Sequence, residues 1–448
     1  MPLLAITRQL HSAAIANRLI RAKEDKTSSL AFFQIEFDDQ VTTATIALFR
    51  HASQQGRRWN ELNLFGCMGQ VEIVLQVCTA LDLFAQITVK GITRDERISQ
   101  QAVLSLGMAM KFNFSLHTLH LGHIALSREQ SAALSDGLRT ITDEGQFKQL
   151  SMSRITFAED AVAELASGLQ SNSSIQTLAV TSCNLTDTQV AQLVQGVVNH
   201  SSLKVLRLFG NQGRAQALVA LVKLLSSTKL ESLDFHHQSW QQGGLQSQIK
   251  ILAAGLKGNQ HIKRLNLSSN ILVDEDLSSL SEILWTCPKL EELDLDLNNI
   301  TNRGLETFSS QNIPGSLRRL RLSGNDFTRE GATHLLKILQ VNLELGFVDC
   351  HQFWVRSEKR REIQHFMDLN RSGRILLRHS SATPIALWPV VLAKANTVFR
   401  SNEERRADVI FHLLQGPALM ERRDSRVAAE EDKMNTEELT GRKRAALD

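Results

Sequence analysis

A short pattern repeated along the chain constrains its fold more than any other feature of the sequence. The pattern is L-x-x-L-x-L-x-x-N, and its clearest copies begin at Leu203, Ile262, Leu290 and Leu317. Less regular copies with the same spacing begin at Trp59, Leu116, Phe147, Ile175 and Leu230, and the most degenerate copies begin at Phe84 and Leu30. From Trp59 onwards, successive copies begin 25 to 32 residues apart, which is the period of a protein built from stacked structural units.

Each copy predicts a strand followed by a helix. The fourth and sixth positions, such as Leu206 and Leu208, are two residues apart and therefore point to the same side of a strand. A capping box formed by Thr186 and Gln189 then opens an amphipathic helix with apolar residues at helical spacing. One unit cannot bury both apolar faces, whereas stacked units share a continuous core. The sequence therefore predicts an α/β repeat solenoid.

These repeats resemble the leucine-rich repeat, and the unit length of about 28 residues with full helices resembles the ribonuclease-inhibitor-like subclass. The resemblance implies a horseshoe with parallel strands on the concave face and helices on the convex face. It covers residues 30–350 in about 11 to 12 repeats. It also implies that an Asn or Cys at the ninth position forms hydrogen bonds between turns. Asn211, Asn270, Asn298, Asn325, Cys67 and Cys183 fit that pattern, and Ile124, Ile155 and Gln238 depart from it.

Both flanks of the repeats carry amphipathic patterns. In residues 1–29, Ile15, Leu19 and Ile20 keep helical spacing, which predicts an N-terminal helix that caps the first unit, with a transit peptide as the alternative. Apolar stripes in residues 351–420 predict a helical C-terminal cap, because an open repeat array needs a terminal lid. Its M-D-L-N-R-S-G-R and P-I-A-L-W-P segments resemble the C-terminal element of uncharacterised leucine-rich-repeat families of unicellular algae. Residues 421–448, with few large aliphatic side chains, predict a disordered tail.

Motifs for catalysis or cofactor binding are missing from the sequence. There is no G-x-x-x-x-G-K-[ST], G-x-G-x-x-G, H-E-x-x-H or G-x-S-x-G, so we expect no enzyme activity and no cofactor. His117, His120 and His123 fall on a strand and its exit, where they diverge, so we expect no metal site. A net charge of +3 and the lack of a long apolar run argue against nucleic-acid and membrane partners.

The five cysteines are widely spaced and form no C-x-x-C, which indicates reduced thiols. We therefore expect a cytoplasmic monomer, with a nuclear or mitochondrial location as the alternatives.

Outward strand positions, the third, fifth and seventh of each unit, are the candidate binding surface. An acidic strand lies in sequence between two basic ones, and a Phe stands beside an Arg, a combination enriched at binding hot spots. The predicted partner site comprises Arg207, Phe209, Asp234, His236, Arg264, Glu292, Asp294, Asp296, Arg319 and Arg321. The alternative for the charged residues is lateral pairing between strands.

We hypothesise a non-catalytic scaffold that binds a protein partner on this face. One alternative is a regulator of a small GTPase resembling the Ran GTPase-activating protein, although the strongly acidic tail of that family is missing here. The other is a ubiquitin-ligase-type substrate adaptor, suggested by a faintly F-box-like C-terminal segment.

Overall fold

The computed structural model describes residues 3–7, 12–21, 28–91, 99–112, 115–139, 147–198, 200–238, 248–311, 313, 315–349, 358–374, 392–393 and 409. The chain divides into two compact units, residues 1–299 and 300–448. The predicted tail at 421–448 and most of the predicted cap at 351–420 lie outside the described residues.

Strands and helices alternate through the first unit. Its strands are β1 Leu3–Thr7, β2 Ser29–Phe33, β3 Glu36–Phe37, β4 Trp59–Phe65, β5 Met68–Gly69, β6 Phe84–Lys90, β7 Thr118–Gly122, β8 Ala125–Leu126, β9 Gln149–Ser153, β10 Thr156–Phe157, β11 Thr177–Thr181, β12 Val205–Arg207, β13 Ser232–Asp234, β14 Arg264–Asn266 and β15 Glu292–Asp294. Its helices are α1 Ser12–Arg21, α2 Asp39–Gln54, α3 Val71–Ala80, α4 Gln100–Phe112, α5 Arg128–Arg139, α6 Ala161–Gln170, α7 Asp187–Gln195, α8 Ala215–Ser227, α9 Ile249–Leu256 and α10 Asp274–Leu284.

The second unit continues the alternation of strands and helices. Its described elements are α11 Asn302–Ser310, β16 Arg319–Arg321, α12 Gly331–Val341, β17 Phe347–Asp349 and α13 Glu358–Arg371. Strands β16 and β17 pair in parallel, with Leu320 opposite Val348. Helix α12 packs against both α11 and α13. Helix α13 therefore lies where the sequence predicted a helical cap.

Parallel pairing brings the repeated leucines of the first unit into one buried row. Leu206 lies opposite Leu233, Leu233 opposite Leu265, and Leu265 opposite Leu293, and each is at most 1% exposed. Each helix packs against the next helix along the chain, and each long strand against the next long strand. The predicted α/β class is confirmed, because parallel strands alternate with helices along the chain and the paired strands bury a shared row of leucines.

The first repeat is the place where the predicted register is wrong. The sequence pattern predicts Leu30 at the first position of its repeat, but Leu30 lies opposite Leu62 and so occupies the fourth. The shift turns Phe33 outward beside Phe65, with ring centroids 6.3 Å apart. The error arose because aromatic residues stand at positions 32, 33 and 37. A register with Leu30 at the first position is therefore as apolar as one with Leu30 at the fourth.

The N-terminal segment contains a strand as well as a helix. Helix α1 buries Ile15 and Leu19, as its spacing indicates. Strand β1 precedes it and pairs in parallel with β2, where Leu4 lies opposite Leu30. The segment therefore adds one more strand–helix unit to the row. Among the described residues, no helix is both long and apolar enough to cross a membrane.

Asparagine side chains satisfy the backbone where strands end. Asn211 Nδ2 donates to the carbonyl oxygens of Val180 and Leu208 at 2.8 and 2.7 Å, and its Oδ1 accepts from the backbone N–H of Cys183 and Leu185, both at 3.2 Å. Asn270 and Asn298 make equivalent bonds. The expected hydrogen bonds between turns are therefore present here, and they provide partners for buried backbone groups. We call this row of hydrogen-bonded side chains the asparagine ladder.

Gln238 takes part in the ladder although it departs from the pattern. Its Oε1 accepts from the backbone N–H of Gly213 at 3.0 Å, and its Nε2 donates to the Leu208 carbonyl oxygen at 2.8 Å. At the two isoleucine positions, 124 and 155, the short parallel pair β8–β10 holds neighbouring turns together instead.

Helices α4 to α7 approach one another closely at glycines. A Cβ built on Gly137 would lie 2.5 Å from the backbone oxygen of Gly107, and one built on Gly168 would lie 2.6 Å from the Cα of Ser135. Gly196 meets α6 in the same way, 2.6 Å from the Ala166 carbonyl oxygen. These helices can therefore pack at their observed separation only without side chains at these positions.

Candidate functional site

A stacked aromatic–imidazole pair is the centre of the candidate site in the first unit. The ring of Phe209, just beyond β12, lies on the ring of His236, just beyond β13, with centroids 4.4 Å apart and planes 13° apart. His236 Nδ1 donates to Asp234 Oδ1 at 2.5 Å. Because a carboxylate only accepts, this contact orients the imidazole and fixes which nitrogen carries the proton. Both rings are half-buried and nearly parallel, so the pair forms a flat aromatic surface.

Strand β14 places Asn266, which the predicted partner site omits, beside the imidazole. Asn266 Nδ2 lies 3.2 Å from His236 Nδ1, and because Nδ1 donates to Asp234, this contact between two donors is not a hydrogen bond. Asn266 Oδ1 accepts from the backbone N–H and the hydroxyl of Ser268 at 3.0 and 2.8 Å. Both residues occupy outward positions of their repeat, which was the available signal. We call Arg207, Phe209, Asp234, His236 and Asn266 the stacked cluster.

Two exposed arginines, one within the stacked cluster and one beside it, provide positive charge. Arg207 lies directly opposite Asp234 across the β12–β13 pair, and its side chain is exposed. Arg264, also exposed, places Nε 3.5 Å from Ser232 Oγ. Guanidinium groups present several donors in a fixed plane and bind carboxylates in a bidentate manner. The arrangement therefore combines an aromatic surface with hydrogen-bond donors suited to an acidic or polar protein surface.

Charges at the start of the same strands are partly neutralised within the chain. Lys263 Nζ donates to Glu231 Oε2 at 2.8 Å, and this bond lowers the pKa of the Glu231 carboxyl. Lateral pairing between neighbouring strands, the alternative interpretation of the charged strand residues, thus occurs at this position. Such exposed pairs stabilise a fold by about 0–1 kcal/mol, so the pair does not exclude a role in binding.

The acidic residues lie on β15 and its exit. Glu292 is opposite Arg264 and Asp294 is opposite Asn266, so the acidic strand adjoins the stacked cluster. Asp294 Oδ1 accepts from the backbone N–H of Asp296 at 3.1 Å, which orients the Asp294 carboxylate at the end of the strand. All three acidic side chains are half-buried.

The remaining two predicted residues, Arg319 and Arg321, belong to the second unit. Both are exposed on β16 and line a cavity of about 580 Å³ within that unit. Phe347 on β17 and Arg371 on α13 line the same cavity, and sequence reasoning missed both. Phe347 occupies the outward third position of the last repeat, so the repeat register could have found it.

Among the described residues, no group of three or more His, Cys, Asp or Glu side chains could hold a metal ion. Stacking, hydrogen bonding and charge are what the described site offers. These are the interactions of a binding surface.

Two family models match the sequence. The model described as "PRAME C-terminal domain" matches residues 109–276, and the model described as "Leucine Rich repeat" matches residues 286–309 and 316–336.

Three relatives align with about half of the chain. "NACHT, LRR and PYD domains-containing protein 5" of Bos taurus is 28% identical over 232 residues, which cover 50% of this chain and 20% of the relative. "Ribonuclease inhibitor" of Mus musculus is 30% identical over 244 residues, covering 52% of each chain. "Ribonuclease inhibitor" of Sus scrofa is 29% identical over 230 residues, covering 50% of this chain and 49% of the relative. This chain therefore spans about half the length of the two inhibitors and a fifth of the bovine protein.

Proposed function

We propose that this chain, a leucine-rich-repeat protein of the ribonuclease-inhibitor-like kind, is a non-catalytic scaffold that binds a protein partner on the outward face of its strands. The proposed contact surface is the stacked cluster together with Arg264 and the acidic residues of β15. Its chemistry is that of a recognition surface, in which an ordered aromatic pair is surrounded by charges of both signs.

The observation that carries the proposal is the order of the stacked cluster. Phe209 and His236 come from consecutive repeats, yet their rings are parallel within 13° and the imidazole is held by Asp234. Ordering these side chains in the free protein reduces the entropy lost on binding. Aromatic and arginine side chains also contribute most to binding where they anchor an interface. A surface that is only solvated would gain nothing from this arrangement.

Two further observations support a protein partner. The leucine rows are fully buried, so outward residues such as Arg207 are not needed for the core and can specify a partner. The names of two relatives say that they inhibit a ribonuclease, which is itself a protein. Likeness of fold alone gives only an analogy, and the stacked cluster supports the proposal with a specific candidate site.

A matched pair of variants tests the proposal. Arg207→Ala with Phe209→Ala removes a cation and an aromatic ring from the strand face. Lys111→Ala with Phe112→Ala removes the same groups from helix α4, where Lys111 Nζ lies 4.8 Å from the centroid of the Phe112 ring. The measurement is quantitative affinity capture from lysate of the source cell, followed by titration of the enriched protein.

We expect the strand-face variant to lose at least about tenfold in affinity for that protein, which corresponds to roughly 1.4 kcal/mol. The helix variant should bind as the unaltered chain does. Equal binding by the strand-face variant, or equal losses in both variants, would show that the partner site is not the stacked cluster.

A further inference from the structure

The imidazole of His236 has one edge bonded within the chain and one edge open. On the bonded edge, Nδ1 donates to Asp234 Oδ1 at 2.5 Å, and Asn266 Nδ2 stands 3.2 Å away from it. On the open edge, Nε2 makes no hydrogen bond to any residue that the structure describes. The Nε2 atom is not buried, and 26% of the side chain is exposed. A group of a binding partner can therefore reach Nε2.

The position of the proton decides what Nε2 can bind. A neutral imidazole carries one N–H, so the other nitrogen is an acceptor. Asp234 favours the proton on Nδ1, whereas the amide of Asn266, which presents an N–H group, would favour the opposite tautomer. The contact with the carboxylate is shorter and charge-assisted, so it prevails. Neutral His236 therefore presents Nε2 as an acceptor.

Packing against Phe209 holds this acceptor in place. The Phe209 ring covers one face of the imidazole, with centroids 4.4 Å apart, and the bond to Asp234 fixes one edge of it. A side chain that is ordered before binding loses less entropy when a partner arrives. Asp234 is therefore a positioning residue, since it acts on a partner through the tautomer and orientation of His236.

We propose that His236 Nε2 accepts a hydrogen bond from an N–H or O–H group of the protein partner, and that protonation of Nε2 releases that partner. A protonated imidazole carries an N–H on both nitrogens, so the donor of the partner then meets another donor. Binding and protonation compete for the same lone pair. This inference rests on the proposed function, and it adds the chemistry that the site selects and its regulation by pH.

Other charged groups surround His236 on its own strand and on the neighbouring strands. On the outward face these groups are Arg207, Asp234, His237, Arg264, Glu292, Asp294 and Asp296. Carboxylates and guanidinium groups ordinarily keep their charge between about pH 5 and 8, whereas histidine does not. His237 is therefore the neighbour whose titration must be separated from that of His236.

The first measurement uses the full chain alone. With nitrogen-15-labelled histidine, long-range proton–nitrogen NMR spectra are recorded from about pH 5 to 8. The signals of His236 are those lost in His236→Gln, and they give its titration midpoint. We expect the neutral form to carry its proton on Nδ1. Asp234→Asn should also populate the form protonated on Nε2, because an asparagine amide can donate to Nδ1 as well as accept from it.

The second measurement titrates the protein enriched by affinity capture against the chain, one pH unit above and one below that midpoint. A histidine is about nine-tenths neutral at the higher pH and about one-tenth neutral at the lower, so the affinity should fall about tenfold. His236→Gln does not titrate there and should bind equally at both values. The control, His237→Gln, makes the same change at the next residue and should keep the fall. Thermal melting shows that each variant is folded at both pH values.

Three results would overturn the inference: a neutral His236 with its proton on Nε2, tighter binding at the lower pH, or a fall in affinity that persists in His236→Gln. Tighter binding would show that the partner brings an acceptor, such as a carboxylate, to the protonated ring. If Arg207→Ala with Phe209→Ala loses the partner while the unaltered chain binds equally at both pH values, the inference fails and the proposed function stands. If that double variant binds as the unaltered chain does, the proposed site fails and the inference fails with it.

Discussion

Replacement of Asn270 by leucine removes one step of the asparagine ladder without opening a large void. Asn270 is fully buried, and its Oδ1 accepts from the Gln238 backbone N–H at 2.8 Å. Its Nδ2 donates to the carbonyl oxygens of Phe235 and Leu267 at 2.9 and 3.1 Å. Leucine fills a similar volume but neither accepts nor donates, so the change isolates the hydrogen bonds from the packing.

The magnitude follows from the partners that remain. Leu267 keeps a bond from Asn298 Nδ2 at 3.2 Å, so its carbonyl oxygen is still satisfied. The Gln238 N–H and the Phe235 carbonyl lose the bonds that Asn270 provides. Each buried group without a partner costs about 1–3 kcal/mol, so we expect Asn270→Leu to lower the free energy of unfolding by roughly 2–6 kcal/mol. A loss of this size is a large fraction of the stability of an ordinary domain.

The assay is chemical denaturation followed by circular dichroism, with hydrogen exchange of the peptide that contains Gln238. Asn299→Leu is the matched control, because it makes the same chemical change at an exposed asparagine in the following repeat. We expect Asn270→Leu to lower the denaturant concentration at the unfolding midpoint and to speed hydrogen exchange of the Gln238 amide. Asn299→Leu should do neither. The reasoning is refuted if Asn270→Leu stays within about 0.5 kcal/mol of the unaltered chain and the Gln238 amide exchanges at its original rate.

Three more predictions address packing, titration and register. Gly168→Val should lower the melting temperature, at a cost of about 1–3 kcal/mol, because the new side chain would meet Ser135 on α5; an unchanged melting curve would contradict the close approach. Burial lowers the pKa of His200 from its ordinary 6.5, and neither ring nitrogen has a hydrogen-bond partner within the part of the chain that the structure describes. The unfolded chain therefore binds this proton more readily, so stability should be complete above about pH 6.5 and fall below it, and His200→Leu should flatten that profile in denaturation at several pH values. Leu293→Asp, at 1% exposure, should cost several kcal/mol, and a variant that melts normally would show the register to be wrong.

The leucine register was predictable from the sequence because it depends on local alternation. A residue at the fourth position is buried whatever the length of its repeat, as the aligned Leu206, Leu233 and Leu265 show. The register of the first repeat was predicted wrongly because local alternation allows two apolar registers there. Only the pairing of β2 with β4 distinguishes them. The glycine contacts between helices were missed because they depend on the separation of two helices, which no single repeat specifies.

Outward residues of the candidate site were predicted individually, but their contacts were not. Phe209 and His236 are 27 positions apart, and their stacking requires both strands to end at the same level of the sheet. That level is set by the pairing of β12 with β13, which is a property of two repeats together. Alternation therefore finds which side chains face outward, whereas the chemistry they form requires the three-dimensional register.

At the turns between strands and helices, residues that depart from the sequence pattern still satisfy the same buried backbone groups. Strand ends leave buried backbone groups that must be hydrogen-bonded, and asparagine meets this need with two donors and an acceptor that can bond twice. Gln238 meets it with the same amide on a longer stem. Cys183 meets it less completely, with Sγ accepting from the Ile155 N–H at 3.4 Å and lying 3.3 Å from the Thr181 carbonyl oxygen.

The isoleucine at position 124 provides no side-chain bond at all. Backbone pairing takes over there, because Thr156 N–H donates to the Ile124 carbonyl oxygen at 3.0 Å and starts the short strand β10. Three chemical solutions thus satisfy one requirement, and each is tied to the residue at the ninth position. The backbone requirement, more than the identity of the asparagine, is what the repeat preserves, so Gln238→Asn should be tolerated while Gln238→Leu should destabilise the chain as Asn270→Leu does. Denaturation midpoints of the two Gln238 variants measure this difference, and equal losses in both would show that side-chain length, not hydrogen bonding, decides the position.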